Sequence, residues 1–84
     1  MKISVCMATY NGEKYIKEQL ESILSQIGEN DEVIISDDSS TDNTVEIIKA
    51  FSDNRIKIFE NQKFKSPIFN FENALIQANG EIIV

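Results

Sequence analysis

Short runs of β-branched and apolar residues alternate along the chain with stretches whose apolar positions repeat at helical spacing. Ile3–Ala8 is the first run, entered directly from the N-terminus. Val33-Ile34-Ile35-Ser36 is the second, bounded by Asp31-Glu32 and Asp37-Asp38. Ile56-Lys57-Ile58-Phe59 is the third, and Glu81-Ile82-Ile83-Val84 begins a fourth. Continuously apolar strands of this kind suit a sheet covered on both faces. Between them, Ile16, Leu20, Ile23 and Ile27 fall on one helical face, and Gly28 follows as a stop. Ile47, Ile48 and Phe51 form a second stripe, with Asn43 and Glu46 at capping-box spacing. A third helix is predicted from Ser66 as N-cap and Pro67 at its first position, with Ile68, Phe71, Leu75 and Ala78 buried and Gly80 as its stop. No repeat or low-complexity segment interrupts the pattern.

The order β-α-β-α-β-α-β predicts an α/β fold: a parallel sheet, right-handed crossovers and helices on both faces. In open sheets of this class ligands sit outside the carboxyl ends of the strands. The segments to inspect are therefore Ala8–Gly12, Asp37–Thr41 and Glu60–Ser66.

Eighty-four residues make one small domain. Fourteen acidic against eight basic residues give a net charge of −6, which argues against a nucleic-acid binder. Cys6 is alone and there is no histidine, which removes intrachain disulfides, Cys-based zinc sites and His-based acid–base chemistry. Cys6 itself reads as a buried small hydrophobe. Apolar runs are too short for a membrane span, and the run after Lys2 is too short and polar for a signal peptide. A reducing cytoplasm is the expected compartment.

Ala8-Thr9-Tyr10-Asn11-Gly12 reads in two ways. It is a plain strand-to-helix turn, or it offers an aromatic ring to a flat ligand with Thr9 and Asn11 as hydrogen-bonding neighbours. Its single glycine excludes a glycine-rich phosphate cradle of the G-x-G-x-x-G or P-loop kind. Asp37-Asp38-Ser39-Ser40-Thr41-Asp42 is equally double. Thr41 and Asp42 suit the capping of the next helix. Asp37 and Asp38 are not placed to cap, and such carboxylates accept hydrogen bonds from a base edge or a ribose, or ligate a hard cation. Glu29–Glu46 holds seven acids and no base, whereas Arg55–Lys65 carries Arg55, Lys57, Lys63 and Lys65 against Glu60. Such clusters are ordinarily solvated surface; if the third loop reaches the cleft, Lys63 or Lys65 would neutralise a phosphate. Tyr15, Phe51, Phe64, Phe69 and Phe71 read as packing, and the sequence leaves Asn70 and Asn73 open between surface and cleft.

Taken together, Ile3–Gly12, Ile23-Leu24-Ser25-Gln26, Glu32–Thr44 and Ala78–Val84 resemble the N-terminal part of family 2 glycosyltransferases, over essentially the whole chain and in order. The likeness is nearest to bacterial members that build surface polysaccharides, including rhamnosyltransferase-like ones. It implies a Rossmann-like half of a GT-A fold. It also implies a nucleoside diphosphate sugar as donor and a glycan or lipid-linked hydroxyl as acceptor. In the family, the loop matching Thr9-Tyr10 lies along the nucleobase, the position of Tyr10 packs on its ring, that of Asp38 accepts a hydrogen bond from the base, and Asp37 supports it; Asn11 stands beside them in this chain. Lys63 or Lys65 matches a basic residue near the diphosphate, and Lys65 is carried forward. The family's D-x-D-type motif binds Mg²⁺ or Mn²⁺ and would follow Val84; the catalytic base comes later still.

The resemblance thus implies that residues 1–84 are a single partial domain, a donor-recognition portion of a longer enzyme and inactive alone. Its uncovered sheet edge and apolar face imply self-association or a longer parent. Its place would be the cytoplasm, at the inner face of the membrane for surface-polysaccharide synthesis. Two other classes fit an alternating chain. A receiver-like signalling domain also clusters acids at strand ends, but its phospho-acceptor Asp ends the third strand, where this chain has Phe59-Glu60. A non-catalytic α/β interaction module would bind no nucleotide.

Overall fold

The chain was studied as a computed structural model that describes residues 2–83. Seven elements follow in the predicted order: β1 (Ile3–Thr9), α1 (Ile16–Leu24), β2 (Glu32–Asp37), α2 (Thr44–Ala50), β3 (Ile56–Phe59), α3 (Pro67–Gln77) and β4 (Glu81–Ile83). Val84, placed by sequence in the fourth strand, lies outside the described residues.

The sheet order is β3-β2-β1-β4, and every pairing is parallel. The chain moves from β1 outward to β3 and then returns to the far side of β1. The order therefore reverses beside β1, and a ligand is expected at that strand's carboxyl end. β2 is buried along its whole length, which is why its run is apolar on both faces. Alternate residues of β1 and β2 build two cores. Val33 and Ile35 pack with Ile16, Leu20 and Ile48 under α1 and α2. Cys6 and Ile34 pack with Ala74 under α3. Cys6 is buried as expected, and burial first, then the charge of Glu32, pushes its thiol pKa up.

Local expectations fail at two helix ends and on one helix face. α1 stops at Leu24, before Ile27 and Gly28. The Arg55 guanidinium occupies that end, donating to the Leu24 and Ile27 carbonyls at 3.2 and 3.1 Å. The capping box at α2 does not form, because the Asn43 side chain makes no cap bond. Asp42 serves instead, accepting from the Thr44 amide at 2.9 Å and from its hydroxyl. α3 begins as predicted, with Ser66 Oγ accepting from the Phe69 amide at 3.4 Å and Pro67 following. Its buried face, however, is Asn70 and Ala74 with Phe71 and Leu75 beside them, while Ile68 is 69% exposed. Tyr15, Phe64 and Phe69, expected as packing, are also exposed.

Candidate functional site

Strand alternation decides where the two adjacent acids go. Asp37 closes β2 on the α1–α2 side and is fully buried. Its Oδ1 accepts from the Thr9 hydroxyl and from the Ser40 hydroxyl, both at 2.6 Å, and its Oδ2 accepts from the Ser40 amide at 2.8 Å. Asp37 thus joins the ends of β1 and β2 to the second loop. Asp38, one residue on, faces the third loop. Its Oδ1 accepts from the Phe64 amide at 2.8 Å and its Oδ2 from the Ser66 amide at 3.3 Å. Two carboxylate oxygens offer about four acceptor directions, so Asp38 retains capacity for a further donor.

The first loop is fixed by the second. Asn11 accepts at Oδ1 from the Thr41 amide at 2.8 Å, and its own amide donates to Ser40 Oγ at 2.9 Å. The Gly12 amide donates to Thr44 Oγ1 at 2.8 Å, and the Glu13 amide to Asp42 Oδ2 at 3.2 Å. Burial raises the Asp42 pKa, but the Thr44 hydroxyl and amide, with the Glu13 amide, outweigh it and hold the carboxyl below the ordinary range. The backbone carries strain at this end of the sheet. Asn11, Ser39, Asn61 and Lys65 all have φ between 51° and 63°, a region that residues other than glycine seldom enter.

Between β1 and the start of α3 lies a cleft of ≈ 460 Å³, lined by Ala8, Thr9, Tyr10, Asp38, Lys65, Ser66, Pro67 and Asn70. That volume suits a small ligand. Of the residues singled out by sequence, Thr9, Tyr10, Asp38 and Lys65 meet in this cleft. Asn11 and Asp37 do not line it; they brace the loops behind it. Thr9 contributes its backbone, because its hydroxyl is committed to Asp37. Lys63 is exposed and outside the lining. The cleft combines a ring that is 58% exposed, a carboxylate and a lysine. It can stack a flat heterocycle, accept a hydrogen bond from it and meet an anionic group.

The sequence left Asn70 open between surface and cleft and gave Ser66 and Pro67 only helix-starting roles; all three line the cleft. Asn70 is 2% exposed and donates from Nδ2 to the Thr9 carbonyl at 3.2 Å. The helical stripe offered no signal for a buried asparagine. Among the described residues no three His, Cys, Asp or Glu side chains gather as a metal-ligand set. The carboxylates of Asp37 and Asp38 face different elements and are engaged by hydroxyls and amides.

A larger groove of ≈ 990 Å³ runs along β1 and α1, past Val5, Met7, Ile23 and Ile27. It flanks β1, whose described pairing with β4 runs from Ile3 to Val5. Its walls are mainly apolar, and it brings together none of the charged residues of the cleft. Among the described residues no helix is long and apolar enough to cross a membrane.

Residues 4–84 match the family model described as Glycosyl transferase family 2. A GalNAc(5)-diNAcBac-PP-undecaprenol beta-1,3-glucosyltransferase of Campylobacter jejuni is 38% identical over 98% of this chain and 28% of its own length. A dTDP-rhamnosyl transferase, RfbG, of Shigella flexneri is 56% identical over 54% of this chain and 16% of its own. Among solved structures, S. aureus TarS 1-349 in complex with UDP is 35% identical and superposes with a TM-score of 0.87, over 99% of this chain and 26% of that one. The chain spans under a third of the length of the curated relatives it matches.

Proposed function

The chain belongs to glycosyl transferase family 2, and from that premise we propose that its cleft binds the nucleotide of a nucleoside diphosphate sugar. The observation that carries the reading is the meeting of Tyr10, Asp38 and Lys65, far apart in sequence, in one cleft at the carboxyl end of β1. A complex of the similar TarS structure with UDP supports it.

In this reading the Tyr10 ring stacks on the base. The free acceptor capacity of Asp38 takes an N–H from the base edge, which favours bases that present an imide or amide N–H and disfavours those presenting an acceptor there. Lys65, which also lines the cleft, would offer the diphosphate a point charge. Asp37 and Asn11 hold these groups without meeting the ligand, and Thr9 presents its backbone to it. The whole reaction would move the sugar to an acceptor hydroxyl on a glycan or lipid carrier, as part of surface-polysaccharide synthesis. A general base would take the acceptor's proton. Mg²⁺ or Mn²⁺ would supply charge to the leaving diphosphate. The described residues fit the nucleoside and offer no ligand set for that ion. Residues 1–84 alone would recognise the donor and transfer nothing.

Titration of the intact protein with UDP tests the reading. Saturable binding is expected, and Tyr10→Ala and Asp38→Ala should each weaken it about tenfold or more, the usual scale for a lost base stack or a charge-assisted hydrogen bond. Wild-type affinity in both variants, or no saturable binding at all, would sink it. The receiver-like alternative has no place in a chain of this family.

A further inference from the structure

Tyr10 is more than half exposed, so the backbone that carries it is a main constraint on its aim. That backbone is held at the preceding carbonyl. The Thr9 oxygen accepts from the Asp38 amide at 3.0 Å and from Asn70 Nδ2 at 3.2 Å, which occupies both of its lone pairs. Asn70 Oδ1 accepts in turn from the Ser36 hydroxyl at 2.6 Å. Ser36 Oγ accepts a hydrogen bond from Asn73 Nδ2 at 3.0 Å, and the same nitrogen lies 3.4 Å from Gln62 Oε1.

The direction of this relay follows from its end. A carbonyl only accepts, so Asn70 must turn its nitrogen to Thr9 and its oxygen to Ser36. The Ser36 proton is then spent on Asn70, and only its lone pairs remain for Asn73. Gln62 completes the path into the third loop, where its amide donates to the Asp37 carbonyl at 3.2 Å. Burying a carboxamide on a helix costs stability unless each of its polar ends is bonded. Here both ends are bonded, and one of them holds the peptide that precedes Tyr10.

We infer that Asn70 is a positioning residue: through the Thr9 carbonyl it sets the aim of the Tyr10 ring in the cleft. The inference rests on the nucleotide reading above and deepens it. Asn70→Asp is nearly isosteric. It still accepts from Ser36 but sets a carboxylate oxygen against the Thr9 carbonyl, so the peptide must turn.

The test is a double-mutant cycle on the intact protein, with uridine as probe: wild type, Asn70→Asp, Tyr10→Ala and the double variant. Asn70→Asp should weaken uridine about tenfold, and in the Tyr10→Ala background it should add less than about twofold, because its effect runs through that ring. Losses that multiply, or wild-type affinity in Asn70→Asp, would overturn the inference. Should Asn70→Asp not fold, Asn70→Ala carries the same cycle without a buried charge. A wild type that ignores uridine would defeat the nucleotide reading instead. The clamp is then judged without ligand: the Thr9 carbonyl carbon and Tyr10 ring resonances shift in Asn70→Asp if it exists, and stay in place if it does not.

Discussion

Asp37 and Asp38 are adjacent in sequence and meet opposite surroundings. A strand turns successive side chains to opposite faces, so one carboxylate is buried among hydroxyls and the other reaches the cleft. Three donors from Thr9 and Ser40 serve Asp37, and two from the third loop serve Asp38. Lys65 is the counterpart in charge. If it serves the diphosphate, Lys65→Ala should weaken UDP binding about two- to fivefold, the scale of an exposed ion pair, and leave uridine affinity unchanged. Calorimetric titration with both ligands checks this, and an equal loss for both would assign Lys65 to the base or to the loop. Tyr10 and Asp38 stood out because each follows an apolar run at a strand's carboxyl end, whereas Lys65 was carried forward only with the family resemblance, and Asp37 braces the loops instead of lining the cleft. The bracing role of Asn11 was not legible, since a turn asparagine and a ligand-binding one look alike until Thr41 is seen opposite it.

The elements themselves were legible wherever burial is continuous. β2 reads directly from its apolar run, and Ser66-Pro67 marks the start of α3. The phase of α3 was misread for a physical reason. Apolar residues alone place Ile68 in the stripe, but at about 100° per residue Ile68 lies roughly 140° from the midpoint of the buried pair Asn70 and Ala74. That pair includes a polar residue, Asn70, whose partners come from two strands, and no periodicity within one helix can announce them. The far end of α3 shows the opposite case, where a residue is fixed by close approach. A Cβ on Gly80 would stand 2.8 Å from the Lys2 carbonyl oxygen and 2.8 Å from Ser4 Oγ. The Gly80 amide also donates to Ser4 Oγ at 2.7 Å, next to the pairing of Ile3 with Glu81. Gly80→Ala should therefore destabilise the fold by about 1–3 kcal/mol, through overpacking against backbone that cannot retreat. Urea unfolding measures the loss, and amide exchange at Glu81 should quicken more than at β2. Unchanged stability would show that the turn relaxes freely.

At the scale of the molecule, the two ends of the sheet have different tasks. The carboxyl end gathers loops with left-handed residues and an open cleft. The amino end is closed by Glu32, whose side chain is 2% exposed. Its Oε1 takes Lys57 Nζ at 2.7 Å and Lys2 Nζ at 3.4 Å; its Oε2 takes the Ser4 hydroxyl at 2.5 Å and the Asn79 amide at 2.8 Å. One carboxylate thus ties β1, β2, β3 and the turn into β4. Burial alone would raise its pKa, but the bonds from Lys57, Ser4 and Asn79 outweigh burial and bring it to about 2, from an ordinary 4.5. A carboxyl depressed in the folded state binds its proton more readily when unfolded. Its stabilisation is therefore complete above about pH 4.5 and is lost as the pH falls towards 2. Glu32→Gln should cost on the order of 3 kcal/mol near neutrality, a cost that shrinks to little at pH 2. Urea unfolding of both proteins across that range reads the gap, and a gap independent of pH would refute the charged role of Glu32. Because the cleft is built from the other end of the strands, the same variant, held where it remains folded, should bind UDP like the wild type. A large loss of UDP affinity in Glu32→Gln would mean that the amino end sets the geometry of the cleft after all.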